Sequence, residues 1–476
     1  MVKPWSQTPR VAVVGGGLSG LAAACALADS GLNVTVFERR PYLGGRASSY
    51  QHPATGEVVD NCQHVLLGCC TNLIDFYHRL GVEDKIRWFD ELTFIEPGGR
   101  TSRIGPSFLP APLHTAPAFL RAACLNLPDK IAIAGAMAAL APITPKDNGE
   151  SFLSWLRRHG QTDRAIERFW KTILVSALNE DVDRVAVPYA AQVVRESFLK
   201  SAVAGRMGVP TVPLTDLYNA AEDYIRGFGG EVRFRSSVES FRAEFAAVNL
   251  ACSEGEEAFD FVVLAVPFDV LSRMLPQTTA GDPLRKTLSC FETSPITGVH
   301  LWFDREITDL EHAVLLDRTI QWMFHKSKLL NPATGTVNGK GASSTGGSYV
   351  ELVISSSKSL VEKSRGEIID LALSELREFF PEARSANLMK STVIKEVHAT
   401  YSPRPGVDNY RPQPETVWPR VFLAGDWTAT GWPATMEGAV RSGYLAAQCV
   451  ARVAGIGKAA FLVPDLPPAG FMRLVS

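Results

Sequence analysis

Apolar positions fall into blocks of different period along this chain, and the blocks alternate between strand and helix. Val11 to Val14 is a short unbroken apolar run of the kind a doubly buried strand shows, and an Ala-rich stretch from Leu21 onward follows it with helical character. Gly31 closes that helix, and Asn33 to Phe37 reads as a second strand. Beyond Thr101 the pattern turns mainly helical: Glu150 to His159 and Arg164 to Leu178 carry amphipathic spacing. From Gly229 onward short strand patterns return, at Glu231 to Arg235, Ser237 to Phe241, Ala247 to Leu250 and the buried-type run Phe259 to Val266 before Pro267. Alternating segments such as Gly298 to Phe303 and Ser348 to Ile354 predict an antiparallel sheet, and Asn331 to Gly347, rich in Gly, Ser and Thr, reads as a mobile loop. A last buried-type strand, Val421 to Ala424, leads to a helix running to about Ala451.

The first strand-to-helix junction carries chemistry. It reads Gly15-Gly16-Gly17-Leu18-Ser19-Gly20, and Glu38 closes the second strand. In a dinucleotide fingerprint the first glycine allows a tight turn, the second admits a pyrophosphate against the backbone, and the third lets helix pack on strand. The helix N-terminus offers unpaired N–H groups and a positive dipole end to the phosphates, and Glu38 can accept from ribose hydroxyls. Strand, loop, helix, strand and acid stand in register, so the segment is read as a dinucleotide site. A second element follows: Glu38-Arg39-Arg40, then Gly44-Gly45-Arg46-Ala47, where Arg46 presents a planar fork suited to phosphate or a flavin carbonyl. The last strand ends in Gly425-Asp426, and Pro433 precedes a helix starting near Thr435-Met436-Glu437, whose N-terminus could stabilise negative charge on a ligand.

Composition narrows the remaining classes. The chain has 476 residues, 46% of them hydrophobic, enough for a large core and two domains. Net charge is −2 with a pI near 6.5, and no basic block or zinc-ligand spacing is present, which argues against nucleic acid and metal. Cysteines 25, 62, 69, 70, 124, 252, 290 and 449 form no CxxC pair and read as reduced thiols of a cytoplasmic protein. Met1 to Arg10 is polar and lacks a secretory leader pattern, and the longest apolar stretch, Ile131 to Ile143, is too short to span a bilayer. Between Thr101 and Pro145 only Arg103, Arg121, Asp129 and Lys130 are charged. Two readings of that stretch stay open: a greasy substrate mouth dipping into a membrane face, or the helical core of the second domain.

Taken together, the three elements resemble the FAD superfamily of amine oxidases, protoporphyrinogen oxidases and carotenoid-type desaturases. The stretch Val58 to Cys70, with Asp60-Asn61-Cys62-Gln63-His64 and Gly68, resembles more narrowly the hydroxysqualene dehydroxylases, the squalene-associated FAD-dependent desaturases. The tail Ala424 to Gly443 and the helical region Trp170 to Asn179 are similar to that family too, and Cys62 departs from it by replacing a glycine.

The resemblance implies an α/β fold: a Rossmann-type FAD-binding domain with an interleaved α+β substrate domain made of an antiparallel sheet and a helical cap. The FAD domain is expected from residues 1–100, 226–275 and 396–460, the substrate domain from 101–225 and 276–395, with 461–476 as a tail. It implies FAD as cofactor, backbone contacts from Val238 to adenine, a C30 isoprenoid substrate, and reductive dehydroxylation of hydroxysqualene to squalene with reduced flavin giving a hydride. Asp60 and His64 are the candidate catalytic groups, a protonated His64 assisting loss of water. No second nucleotide fingerprint is present, so an external donor is expected to reduce the flavin. A desaturase or amine oxidase running the opposite electron flow is the alternative, and a non-catalytic isoprenoid-binding protein the third reading.

Overall fold

The computed structural model describes residues 8–142, 145–330, 347–456 and 460–474; the loop expected at Asn331 to Gly347 lies almost wholly outside them. Its first layer is a parallel sheet of five strands drawn from three separate stretches of chain. These are β1 (Arg10–Val14), β2 (Asn33–Glu38), β3 (Glu231–Phe234), β4 (Phe261–Leu264) and β5 (Val421–Leu423), in the order β3-β2-β1-β4-β5. All but the first residue of β1 and of β2, and every residue of β4 and β5, are buried, as a sheet covered on both faces requires. Helix α1 (Leu18–Asp29) is buried from Leu18 to Ala28, and helix α2 (Met436–Ala454) lies across it. Small side chains permit that crossing: a Cβ on Gly443 would come within 2.2 Å of the Ser19 carbonyl oxygen. The strand ends carrying Val14 and Glu38 open on the crevice where strand order reverses, the usual place for a ligand in such a sheet.

The second layer is a mixed sheet of seven strands, Leu388–Tyr401, Thr293–Phe303, Ser348–Ser355, Trp322–His325, His312–Leu315, Leu92–Ile95 and Thr101–Ile104, in that spatial order. It is antiparallel except where His312–Leu315 meets Leu92–Ile95. Helix Arg365–Phe379 buries Ile368, Ala372, Leu376 and Phe379 against it and starts with a capping box between Ser364 and Glu367. Helices between residues 116 and 199 form a cap, including π-helical turns at Ile166–Lys171 and Arg195–Leu199. Pairing shifts two expected boundaries. The hairpin Leu92–Ile104 belongs to the seven-stranded sheet, so the chain leaves the nucleotide layer before residue 100, and Leu388–Tyr401 runs unbroken through residue 396.

Candidate functional site

A cavity of about 430 Å³ runs between the two layers. Its nucleotide end is lined by Gly15, Gly17, Leu18, Ser19, Glu38, Arg39, Arg40, Gly45, Arg46, Ala47 and Val238, with Gly425, Asp426, Thr435 and Met436 farther along. The backbone leaves the cradle open. Gly15 has φ +112°, a conformation that L side chains rarely adopt, and a Cβ on Gly17 would meet only Gly45 Cα, at 3.8 Å, before projecting into the free space. Gly20 and Gly16 sit one layer behind. A Cβ on Gly20 would fall 1.9 Å from the Gly15 carbonyl oxygen, so Gly20 sets the helix–strand approach, and Gly16 N–H donates to Glu38 Oε2 at 2.7 Å.

Glu38 is 6% exposed and accepts from the Arg40 N–H at 2.8 Å as well as from Gly16. Two backbone donors fix the carboxylate and leave each oxygen a lone pair for a ribose hydroxyl. Val238 stands at a bulge where its strand slips register against Cys252, which frees backbone groups toward the cavity. Arg46 donates to Asp426 Oδ1 at 2.7 Å and to the Ala399 carbonyl at 2.8 Å, tying the Gly-Gly-Arg loop to the last strand. Thr435 caps α2, its hydroxyl accepting from Gly438 N–H at 3.1 Å, and so aims the helix N-terminus at the cavity. Buried Arg411, which the sequence reading missed, donates to the carbonyls of Asp426 at 3.1 Å and Trp432 at 2.7 Å and to the Thr430 hydroxyl at 2.9 Å, pinning the intervening loop.

Glu437 does not reach this site. It is fully buried on the other side of α2, accepting from the Asn72 and Leu73 N–H groups at 3.2 and 2.8 Å and from Asn72 Nδ2 at 3.0 Å, and it serves as a cap for helix Thr71–Leu80. Asp60 also departs from its expected role. It accepts from Lys326 Nζ at 2.6 Å, Ser49 Oγ at 2.6 Å and Leu214 N–H at 3.2 Å and does not line the cavity. Burial alone would raise its pKa, but Lys326 and these donors hold it below the usual carboxylate value. His64 does line the cavity. Burial lowers its pKa, and Nδ1 lies 2.7 Å from the Cys62 carbonyl oxygen, which selects the neutral tautomer with the proton on Nδ1. The expected imidazolium is thus replaced by a neutral ring whose Nε2 makes no hydrogen bond among the described residues.

Behind Gln63 lies a polar cluster that no motif announced. Lys326, 2% exposed, donates to Asp60 and, at 2.7 Å, to Gln63 Oε1, and stands 3.6 Å from Glu351, which is fully buried. Burial raises the Glu351 carboxyl to about 8 against the pull of Lys326, so it carries a proton at neutral pH. His300, directly across the sheet from Glu351, is pushed down to about 3 by burial and by Lys326. The only available signal was alternation: Lys326 follows Trp322 and Phe324 at inward positions. Val65, Ile296, Trp322, Phe324 and Val353 pack into one apolar end of the cavity, with Trp322 and Phe324 stacked at 5.6 Å between centroids. Asn179 lines the cavity near Ser176, held in a left-handed conformation (φ +52°) by donating to the Ser294 carbonyl and Thr400 hydroxyl, both at 2.9 Å.

Residues 18–451 match the family described as flavin containing amine oxidoreductase. The chain belongs to that family. It is 28% identical over 464 residues to 15-cis-phytoene desaturase of Synechococcus elongatus, covering 93% of this chain and 95% of the relative. It is 26% identical to zeta-carotene desaturase of Synechocystis sp., over 93% and 97% of the two chains. Among solved structures, an oxidoreductase from Methanosarcina mazei aligns with TM-score 0.69 at 17% identity, over 91% of this chain and 98% of that one. Cyclohexylamine oxidase from Brevibacterium oxydans aligns with TM-score 0.64 at 18% identity, over 94% and 99%. The protein is an FAD-dependent oxidoreductase of the carotenoid desaturase and amine oxidase type. The open cradle at Gly17, the fixed Glu38 carboxylate and the capped N-terminus of α2 fit that cofactor.

Proposed function

We propose that this enzyme acts on a long isoprenoid chain and carries out the reductive dehydroxylation of hydroxysqualene to squalene. The observation that carries the reading is the apolar end of the cavity at Val65, Ile296, Trp322, Phe324 and Val353, which offers hydrocarbon contact and two parallel aromatic faces. The resemblance of Asp60 to Gly68 and of Ala424 to Gly443 to the hydroxysqualene dehydroxylases supports the finer assignment. FAD, when bound and reduced by an external donor, would supply a hydride. Hydride would take the place of hydroxide on the allylic carbon as the C–O bond breaks, and the leaving hydroxide would take a proton from solvent and depart as water.

Trp322 and Phe324 favour positive charge developing on that carbon through their ring faces. Neutral His64 accepts a hydrogen bond from the substrate hydroxyl at Nε2 and so orients the C–O bond. In this reading His64 is an orienting acceptor, while the two aromatic residues act on the reacting carbon.

Desaturation is the second reading, and His64 favours it: a neutral imidazole with a bare Nε2 suits the proton that a lipid loses with its hydride. The relatives named as carotenoid desaturases point the same way. Anaerobic single-turnover mixing separates the two. Pre-reduced enzyme should reoxidise with hydroxysqualene and yield one squalene per flavin. Reduced enzyme that stays reduced, while oxidised enzyme bleaches with a polyene precursor, would replace dehydroxylation by desaturation.

A further inference from the structure

The protein leaves large apolar side chains in water along two stretches of chain, 106–131 and 470–474. Phe108 is 95% exposed, Leu120 61%, Leu127 and Ile131 65% each, and Leu113, Phe471 and Leu474 are exposed as well. Two distant stretches of chain build the face together. Phe471 N–H donates to the Ala111 carbonyl at 2.8 Å, and Gly470 lies so close that a Cβ there would come within 2.6 Å of the same oxygen. Met472, 2% exposed, anchors the short C-terminal helix Gly470–Leu474 in the core that also holds Ala111 and Ala122. Lys130 Nζ donates to the Leu120 carbonyl at 2.7 Å, joining helix Leu127–Leu140 to helix Ala116–Arg121.

Within the two stretches the exposed charges have one sign, and an acid outside them, Glu91, packs at Gly105 on the edge. Between Thr101 and Pro142 the charged residues are Arg103, Arg121, Asp129 and Lys130, and the C-terminal helix adds Arg473. Asp129, 1% exposed, is consumed inside: it closes a capping box with Asn126 and accepts the Thr162 hydroxyl at 2.6 Å. Among the described residues no carboxylate pairs with Arg103, Arg121 or Arg473. The exposed Phe245 offers a contrast, because its hairpin carries Glu239 and Glu244 beside Arg242, and the next turn adds Glu254 and Glu256. The cationic face also leads inward. The Phe119 ring meets Phe169 edge-on at 5.7 Å, and the helix continuing from Phe169 brings Ser176 and Ala177 to the cavity wall.

We propose that this face, built jointly by residues 106–131 and 470–474, docks on a bilayer with anionic headgroups. The arginines and lysine meet lipid phosphates while Phe108, Leu113, Leu120 and Phe471 enter the acyl boundary. Apolar side chains interspersed with cations, with no acid of either stretch in water, match such a surface. Docking would let a water-insoluble chain pass from leaflet to cavity, and it does not depend on which isoprenoid reacts or in which direction electrons flow.

The FAD-loaded full chain is sedimented with vesicles of phosphatidylcholine alone or mixed with phosphatidylglycerol, a readout without turnover. Wild type should pellet with the mixed vesicles, pellet far less with neutral ones, and be released by salt. Arg121→Ala with Arg473→Ala should lower partitioning about thirtyfold. Phe108→Ser with Leu120→Ser and Phe471→Ser should abolish it at unchanged FAD content, and Phe245→Ser should leave it as in wild type. Wild type remaining in the supernatant with both vesicle types overturns the proposal. So does pelleting that patch variants retain or that Phe245→Ser loses equally. Self-association broken by the patch variants, without vesicle binding, would assign the face to a second copy of the chain and likewise end the proposal.

Discussion

Replacing Lys326 with Met probes the polar cluster behind the cavity. The ammonium is 2% exposed and bonds Asp60 Oδ2 at 2.6 Å and Gln63 Oε1 at 2.7 Å. Removing it strands the Asp60 carboxylate among the Ser49 hydroxyl and Leu214 N–H with no cation. Breaking a buried pair from one side costs about 3–5 kcal/mol, whereas removing both charges costs much less, so Asp60→Asn placed on Lys326→Met should recover most of the loss. The pH dependence has a definite sign. Glu351 is raised to about 8 in the folded state, so its contribution is whole below the unfolded carboxyl range and is lost as pH rises through 8. Asp60 is lowered, so its contribution is present above its unfolded value and is lost in acid. Lys326 is raised, and its contribution fades only above the ordinary lysine range. Wild type should therefore lose stability between about pH 6 and about pH 9, and Glu351→Gln should be flat across that interval. Denaturant unfolding followed by tryptophan fluorescence at both pH values checks this. A Lys326→Met loss below about 1 kcal/mol, or a Glu351→Gln variant that keeps the alkaline decline, would refute the reasoning.

Glu38→Ala should weaken FAD binding by about 1–3 kcal/mol, read by flavin fluorescence titration, because ribose hydroxyls and the Gly16 and Arg40 N–H groups lose their acceptor. Glu437→Ala should instead lower unfolding stability by about 1–3 kcal/mol through the stranded Asn72 and Leu73 donors, with FAD affinity unchanged once the protein is folded. His64→Phe should keep its flavin and lose turnover; turnover that rises instead when wild type is acidified would mean that imidazolium is the active form after all. Arg411→Met should release the Asp426–Trp432 loop, which a faster loss of FAD on dilution would report.

The nucleotide layer was legible because its signals are local. Strand, glycines, helix and Glu38 all fall between Arg10 and Glu38 in one βαβ unit, each demanded by backbone geometry or by a phosphate. Gly425, Asp426 and Thr435 were legible for the same reason. Glu437 was misassigned because a first-turn acid looks identical whether it faces a ligand or a neighbouring helix, and only the packing of Thr71–Leu80 decides. Asp60 failed for a related reason: its partner Lys326 directly follows a strand of the other layer, Trp322–His325, far away in the chain. Trp322, Phe324 and Asn179 entered the cavity through tertiary pairing that no local pattern carries.

The three-part origin of the parallel sheet has a consequence for the newborn chain. Val11 pairs with Phe261, and Val262 pairs with Val421, so the strand that emerges first waits for neighbours made long after it. Until then the apolar edge of Val11 to Val14 has only β2 beside it, an exposed template for wrong partners. Such distant pairings make assembly slow. The pocket for the adenosine half is then shaped before the wall holding Asp426 and Thr435 arrives. A flavin captured early would bridge the two and help the last strand find its seat, making cofactor supply a determinant of yield as well as of activity.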